Sequence, residues 1–355
     1  MNLSDPRRRV VELRSDTFTL PTPRMLDAMV RADLGDDVYG EDPTVARLET
    51  RSAELLGKEA GCFLPSGTMA NLSAIMTHCA RGSKVIVGEE SDIYVYEAGG
   101  AGVCGGVVYH PVPNRPDGTM DLGAVEEVLR SDPDDPQFAL PALLCLENPQ
   151  NRCGGRVLPP SHLAEAASLA REHGVAVHLD GARIFNAALA AGTTAAELAA
   201  VADSVQFCLS KGLAAPVGSM LVGDRAVVSG VRRVRKMLGG GMRQAGVLAA
   251  AGLVALDEVD RLADDHHNAR RLAEGLAEIP GISVAPEKPE TNMVYIRVAQ
   301  ELMGNEAFLS AAAARGVRMA ELGHGRIRLV THRGVDDQDV DHVLEVVRAI
   351  LDEDR

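Results

Sequence analysis

Through the first 250 residues, short and largely apolar runs alternate with amphipathic or Ala/Leu-rich stretches. The runs at 61–64, 84–88, 106–110, 139–147, 175–180, 204–209 and 219–223 are too short for helices and predict buried strands. Helix patterns lie between several of them. The pattern at 160–173 has Ser161 placed as an N-cap and Gly174 as its stop. Strand alternating with helix predicts an α/β domain with a mostly parallel sheet. From about residue 250 the texture changes. One long helical pattern, 245–279, ends at Pro280-Gly281, and strand 292–298, helix 305–315, strand 325–331 and helix 337–352 follow. These predict a second, smaller α+β domain. No internal repeat is visible, and the Ala-rich stretch 187–202 reads as small-residue helix packing.

Composition narrows the function. The 355 residues carry 36 Lys plus Arg against 50 Asp plus Glu, a net charge of −14 with no basic block, so nucleic acid is not expected as a partner. Aromatic residues are only 3% with no Trp, which leaves few platforms for stacking bases or sugars. No apolar run is long enough to span a membrane, and no membrane partner is expected. The N-terminus lacks the apolar stretch of a secretory signal, and Arg7, Arg8 and Arg9 read as a solvated leader. The six cysteines form no Cys-x-x-Cys pair. They read as small buried hydrophobes in a reducing cytoplasm.

Open α/β sheets bind ligands beyond the carboxyl ends of their strands, so polar residues placed there carry the chemistry. The run VAVHLDGAR ends its strand in Asp180, and SVQFCLSKG ends its own in Ser210-Lys211-Gly212. An acid and a lysine at neighbouring strand ends suit pyridoxal phosphate (PLP): the amine forms an imine with the aldehyde, and the carboxylate keeps the pyridine nitrogen protonated. A buried structural ion pair is the alternative reading. Pro65-Ser66-Gly67-Thr68 runs from a strand into a helix whose first N–H groups suit a phosphate, with Gly67 allowing close approach and Thr68 adding a hydroxyl. An ordinary capped helix is the alternative there. The Gly100–Gly105 run matches G-x-G-x-x-G, yet an apolar strand does not precede it and strand-like Val107-Val108-Tyr109 follows it. The dinucleotide fingerprint requires the reverse context, so NAD is not expected.

Together these blocks resemble the threonine aldolase family of PLP-dependent enzymes, and the resemblance extends over essentially the whole chain. LRSDT at 13–17, GDDVYGEDPTV at 35–45, PSGTMANL at 65–72, HLDGAR at 178–183, SKGLAAPVGS at 210–219, GGGMRQAG at 239–246 and RLVTH at 328–332 stand in the family's order. The resemblance implies an α/β, fold-type I PLP-dependent (aspartate aminotransferase-like) architecture, with a three-layer large domain and a smaller C-terminal α+β domain. Residues 1–20 would contribute to the active site, 21–250 would form the large PLP-binding domain, and 251–355 the small one. It makes Lys211 the Schiff-base lysine and pairs Asp180 with the pyridine nitrogen. Gly67 and Thr68 would hold the phosphate, and Ser15, Arg183 and Arg328 the substrate carboxylate, a task suited to the guanidinium fork. Lys236 and Arg243 resemble residues extended toward the phosphate of a neighbouring subunit, implying a homodimer or homotetramer; the alternative is surface charge beside Arg232, Arg233 and Arg235. The implied reaction is retro-aldol cleavage of a β-hydroxy-α-amino acid to glycine and an aldehyde, catalysed in the cytoplasm.

Two positions depart from the family. Where it usually places a His over the cofactor ring, this chain has Asp92, and in place of the second His, next to the β-hydroxyl, it has Gln150. An imidazole exchanges protons near neutral pH, whereas Gln can hydrogen-bond but not act as a base. Three readings follow: an aldolase using Asp92 or water as base, another PLP reaction on the same scaffold (transaldol transfer, β- or γ-elimination, racemisation), or a PLP-binding protein without turnover. Retention of Lys211, Asp180, Arg183 and Arg328 argues against the third. His178 reads as structural and His324 as a solvent loop residue. His266 and His267 sit on a polar helix, and no catalytic metal is expected. The Asp36-Asp37…Glu41-Asp42 cluster offers a structural cation site, but its resemblance suggests a substrate-proximal loop contributing Tyr39.

Overall fold

The computed structural model describes residues 10–353, so the leader at Arg7–Arg9 lies outside the described residues. Two compact units are present. One runs from Pro21 to Val259, and the other joins the described residues up to Leu20 to the chain from Asp260 onward.

The larger unit is built on a seven-stranded sheet: β1 (Ala60–Leu64), β2 (Lys84–Gly88), β3 (Val108–Val112), β4 (Pro141–Glu147), β5 (Ala176–Asp180), β6 (Ser204–Cys208) and β7 (Ser219–Gly223), in spatial order β1-β7-β6-β5-β4-β2-β3. Only β7 runs antiparallel to its neighbours, β1 and β6. Every other strand therefore delivers its carboxyl end to the same edge of the sheet. Adjacent residues of a strand face opposite sides, and every residue of β6 and β7 is buried. Both faces are covered, which is why these strands read as near-continuous apolar runs.

One face departs from that rule. His178 and Asp180 on β5 lie in register with Ser204 and Gln206 on β6, and Cys145 and Glu147 on β4 lie on their other side. Polar groups thus recur at every second position on one side of the sheet, while Val177, Leu179, Val205 and Phe207 fill the other. Buried polar groups need partners, and the helix Gly67–His78 supplies them.

The smaller unit has a four-stranded antiparallel sheet in the order Ala320–Glu321, Ile327–Val330, Met293–Val298, Ile282–Val284, plus a parallel pair, Val11–Glu12 with Val317–Arg318. Its helices Leu262–Ala277, Asn305–Ala314 and Asp337–Glu353 pack Leu272, Phe308, Val343 and Val347 against Ile296 and Leu329. Each such side chain gains about 1.5–3 kcal/mol on burial.

Several expectations are corrected. The 245–279 helix is broken into Gly246–Asp257, a 3-10 turn Val259–Arg261, and Leu262–Ala277. The break follows Asp257-Glu258, acidic residues that oppose the dipole at a helix C-terminus. Ser161 is not an N-cap: the helix begins at Pro160, whose missing N–H is harmless at the first position. The third strand starts at Val108, because Gly106, with φ +66°, first ends a π-helical turn, Ala101–Gly105. The Ala-rich stretch is helical as expected, in two pieces, Ile184–Ala191 and Ala195–Ala199, the second opened by a Thr194–Glu197 capping box. No helix among the described residues is long and apolar enough to cross a membrane.

Candidate active site

At the carboxyl edge of the large sheet, a cavity of about 180 Å³ brings together Gly67, Thr68, Asp92, Asp180 and Lys211. Each arrives by its own route. Ser66, just past β1, caps the helix Gly67–His78 by accepting from the Met69 N–H at 3.2 Å. Gly67 and Thr68 are therefore in the first turn, where backbone N–H groups point outward. A side chain at Gly67 would bring Cβ within 3.0 Å of Cys208 Sγ, so glycine keeps this corner open. Lys211 stands on the loop between β6 and β7, and Asp180 ends β5.

Asp180 is fully enclosed. Its Oδ2 accepts from Asn71 Nδ2 at 2.8 Å, and its Oδ1 accepts from Gln206 Nε2 and from the Ala182 N–H at 3.0 Å. Burial pushes its carboxyl above the usual range, with the Asp92 charge adding; the Lys211 charge and the Asn71 and Gln206 bonds pull it back. Arg183 follows at the start of the helix Ile184–Ala191 and is buried, but it does not line this cavity.

Asp92 opens a short helix, Asp92–Val95. Its N–H donates to Glu147 Oε2 at 2.8 Å, and its Oδ1 accepts from Asn151 Nδ2 at 3.0 Å. Gln150 lies elsewhere: its Nε2 donates to the Glu90 carbonyl at 2.8 Å, and its Oε1 accepts from the Cys153 N–H at 2.7 Å. Gln150 is 1% exposed and does not line the Lys211 cavity.

Sequence reasoning missed Glu97 and Asn71, which also line the cavity. Burial pushes Glu97 up to about 9, although Asn71 Nδ2 donates to its Oε1 at 2.9 Å. Glu147 is likewise held well above the carboxylate range by burial, with the charges of Asp92 and Asp180 adding. Asn71 stands inside the quoted PSGTMANL block, and Glu97 follows Asp92 by five residues. Only the alternation of polar positions on β5 and β6 signals that a buried partner is needed.

Tyr39, Lys236 and Arg243 are not at this cavity. Tyr39 and Lys236 line a second one of about 520 Å³, together with Asp37, Arg232 and Arg235. Arg243 Nη1 pairs with Asp36 Oδ2 at 2.9 Å. The acidic cluster is committed within the chain: Asp37 pairs with the buried Arg235 at 2.9 Å, and Asp42 caps the helix Pro43–Leu55 and accepts from the Gly246 N–H.

Within the smaller unit, Arg328 is buried on the strand Ile327–Val330, and its Nη2 donates to the Arg14 carbonyl at 3.0 Å. The neighbouring Ser15 caps the 3-10 turn Asp16–Phe18 by accepting from the Thr17 N–H at 3.2 Å. His324 is exposed, as expected of a loop. His266 is instead buried in the helix Leu262–Ala277, which lowers it to about 4.

A mostly parallel sheet whose carboxyl edge gathers an acid and a lysine from successive strands places the large unit in the fold-type I class of α/β enzymes. Residues 12–299 match the family model described as Beta-eliminating lyase, and the chain belongs to that family. It is 47% identical to a probable low-specificity L-threonine aldolase 2 of Arabidopsis thaliana, over 97% of this chain and 98% of that one. It is also 47% identical to the low specificity L-threonine aldolase of Escherichia coli (strain K12), over 96% of this chain and 99% of the other. Among solved structures, a putative L-allo-threonine aldolase from Listeria monocytogenes superposes with a TM-score of 0.79 at 21% identity, covering 97% of each chain, and shares the fold.

Proposed function

We propose that this chain is a PLP-dependent aldolase of the threonine aldolase type, cleaving a β-hydroxy-α-amino acid to glycine and an aldehyde. The observation that carries the reading is the meeting, in one cavity, of Lys211, the buried Asp180 and the open first turn at Gly67. Relatives nearly half identical along their whole length bear threonine aldolase names, which favours carbon–carbon cleavage over transaldol transfer, elimination or racemisation.

The residues suit the cofactor. A helix start kept open by glycine fits a phosphate, an enclosed carboxylate fits a protonated ring nitrogen, and a lysine amine fits an aldehyde. When bound, PLP supplies the electron sink for the charge left at Cα. The chain's own groups do the rest. The N–H groups of Gly67 and Thr68 and the Thr68 hydroxyl would hold the phosphate. Asp180 keeps a proton on the ring nitrogen. Lys211 Nζ would be the amine that holds the cofactor's aldehyde. Arg183 would take the substrate carboxylate, a task that the resemblance also assigns to Ser15 and Arg328. Asp92, with Oδ1 fixed by Asn151, receives the proton of the β-hydroxyl, the task that an imidazole has in the family. Lys236 and Arg243 serve a second copy of the chain in a homodimer or homotetramer, and Tyr39 lines the same cavity as Lys236. The reading places the enzyme in the cytoplasm, supported by six cysteines of which none is in a disulfide.

Product analysis tests it. Purified protein with added PLP is incubated with L-threonine, L-allo-threonine and phenylserine, and glycine is measured beside the matching aldehyde. Equal amounts of both are expected, and Lys211→Ala is expected to lose turnover together with the visible absorbance of the bound cofactor. Full activity in that variant, or no glycine from any of the three substrates, would overturn the assignment.

A further inference from the structure

Behind Asp180 runs a file of buried polar side chains that ends at His78. The helix Gly67–His78 presents Asn71 and His78 seven residues apart, on one face. Strand register sets His178 beside Ser204. The contacts are continuous: His78 Nε2 to Ser204 Oγ at 2.9 Å, Ser204 Oγ to His178 Nδ1 at 2.8 Å, and His178 Nε2 to Asn71 Oδ1 at 3.0 Å. From Asn71 Nδ2 the file forks to Asp180 Oδ2 at 2.8 Å and Glu97 Oε1 at 2.9 Å.

The direction of each bond follows by elimination. An ionised Asp180 can only accept, so the atom that faces its Oδ2 is the amide nitrogen of Asn71, and Oδ1 is left to accept. Its donor is His178 Nε2. Burial lowers His178 to about 3, so the ring is neutral and carries a single N–H. With that N–H spent on Asn71, Nδ1 accepts from the Ser204 hydroxyl, and Ser204 Oγ accepts in turn from His78 Nε2. Every bond points the same way, toward Asp180. Successive bonds aligned in a buried medium polarise one another.

We propose that Asn71 is a positioning residue: its single amide nitrogen ties Asp180 to Glu97 and delivers to Asp180 a directed chain of donors running through His178 and Ser204 from His78. The chain steadies the ionised form of a carboxylate that burial alone would neutralise. The inference rests on the reading that Asp180 faces the ring nitrogen of PLP. A purely structural file would hold the helix on the sheet without acting on that nitrogen.

The test uses the holoenzyme and two variants, Asn71→Ala and Ser204→Ala. Three quantities are read: the dissociation constant for PLP, the pH at which the visible band of the bound cofactor changes, and kcat against KM. Losing a buried bond to a charged group is expected to weaken PLP binding about ten- to a hundredfold in Asn71→Ala. The band should also shift along the pH axis, and kcat should fall with KM little changed. In Ser204→Ala, which breaks the file two bonds away, the same changes are expected at about two- to tenfold. A folded Asn71→Ala protein with wild-type affinity and an unmoved band would overturn the proposal. Should Asn71→Ala fail to fold, Ser204→Ala decides, and an unmoved band there overturns it equally. Wild-type protein that takes up no PLP would instead overturn the assignment of Asp180, and the proposal with it.

Discussion

Glu97→Gln isolates the cost of holding a proton inside the cavity. Burial lifts the Glu97 carboxyl from 4.5 to about 9, with the charges of Asp180 and Asp92 adding and Asn71 and Lys211 opposing. In the unfolded chain this group loses its proton at the lower value, and in the folded chain only at the higher. Between the two, folding must take up one proton. The stability contributed by this group is therefore fully present below the unfolded value and is lost as pH rises toward the folded one. Each pH step inside the window removes about 1.4 kcal/mol, and the whole window at most about 6 kcal/mol. Gln keeps the oxygen that accepts from Asn71 but carries no titrating proton. Urea denaturation of both proteins freed of cofactor, followed by circular dichroism at about pH 5.5, 7 and 8.5, reads the difference. The variant should gain on the wild type by about 4 kcal/mol between the lowest and highest of these. Raised groups such as Glu147 act equally in both proteins and cancel. Parallel stability curves would refute the reasoning, because they would mean that Glu97 is ionised in the folded protein.

Gly67→Ala places a methyl 3.0 Å from Cys208 Sγ and 3.6 Å from Gln206 Oε1. It should cost about tenfold in PLP affinity at unchanged circular dichroism; unaltered affinity would remove this corner from the phosphate site. Asp92→Asn should lower turnover about a hundredfold, within the usual range for loss of a general base, while PLP affinity stays within about twofold. Equal rates would take Asp92 out of the mechanism. Arg235→Ala strands Asp37, its ion-pair partner at 2.9 Å in a buried setting, and also removes the bond from Arg235 Nη1 to the Phe63 carbonyl. The expected loss is about 3–5 kcal/mol in urea denaturation; less than about 1 kcal/mol would show that the pair is hydrated.

The elements legible in the sequence were those with a single dominant signal. Apolar runs such as 84–88 and 219–223 emerged as strands at their expected bounds, because burial on both faces leaves little room for polar residues. The break at Asp257 was hidden, since apolar spacing continues on both sides of a turn too short to interrupt it. Asp180 and Lys211, which stand alone at strand ends, were legible as residues that meet in one cavity. The site was not legible where a side chain's partner comes from a distant segment. Gln150 looks like a substrate contact in a list of motifs, but its amide is used at both ends by the backbone of Glu90 and Cys153. Glu97 lies in a Gly/Ala-rich stretch, and nothing local marks it as buried beside two other acids.

Asp92 and Gln150 stand far apart along the chain, yet they fall in segments that fold against each other. After β4, the run from Glu147 to Arg152 clasps the run from Glu90 to Tyr96 at several points. Gln150 donates to the Glu90 carbonyl, Arg152 Nε to Glu90 Oε2 at 2.6 Å, and Asn151 Nδ2 to Asp92 Oδ1. Arg152 also donates to the Tyr96 hydroxyl, on a side chain that lines the Lys211 cavity. A carboxylate at position 92 joins Asp180 and Glu97 in a cavity with one lysine, and Glu147 accepts from its backbone N–H. That charge stays bounded because burial keeps protons on Glu97 and Glu147, and because Asn151 supplies Asp92 with a donor. An acid at position 92 is thus supplied with a donor from the opposite segment, and the amide at 150 helps to hold that segment in place.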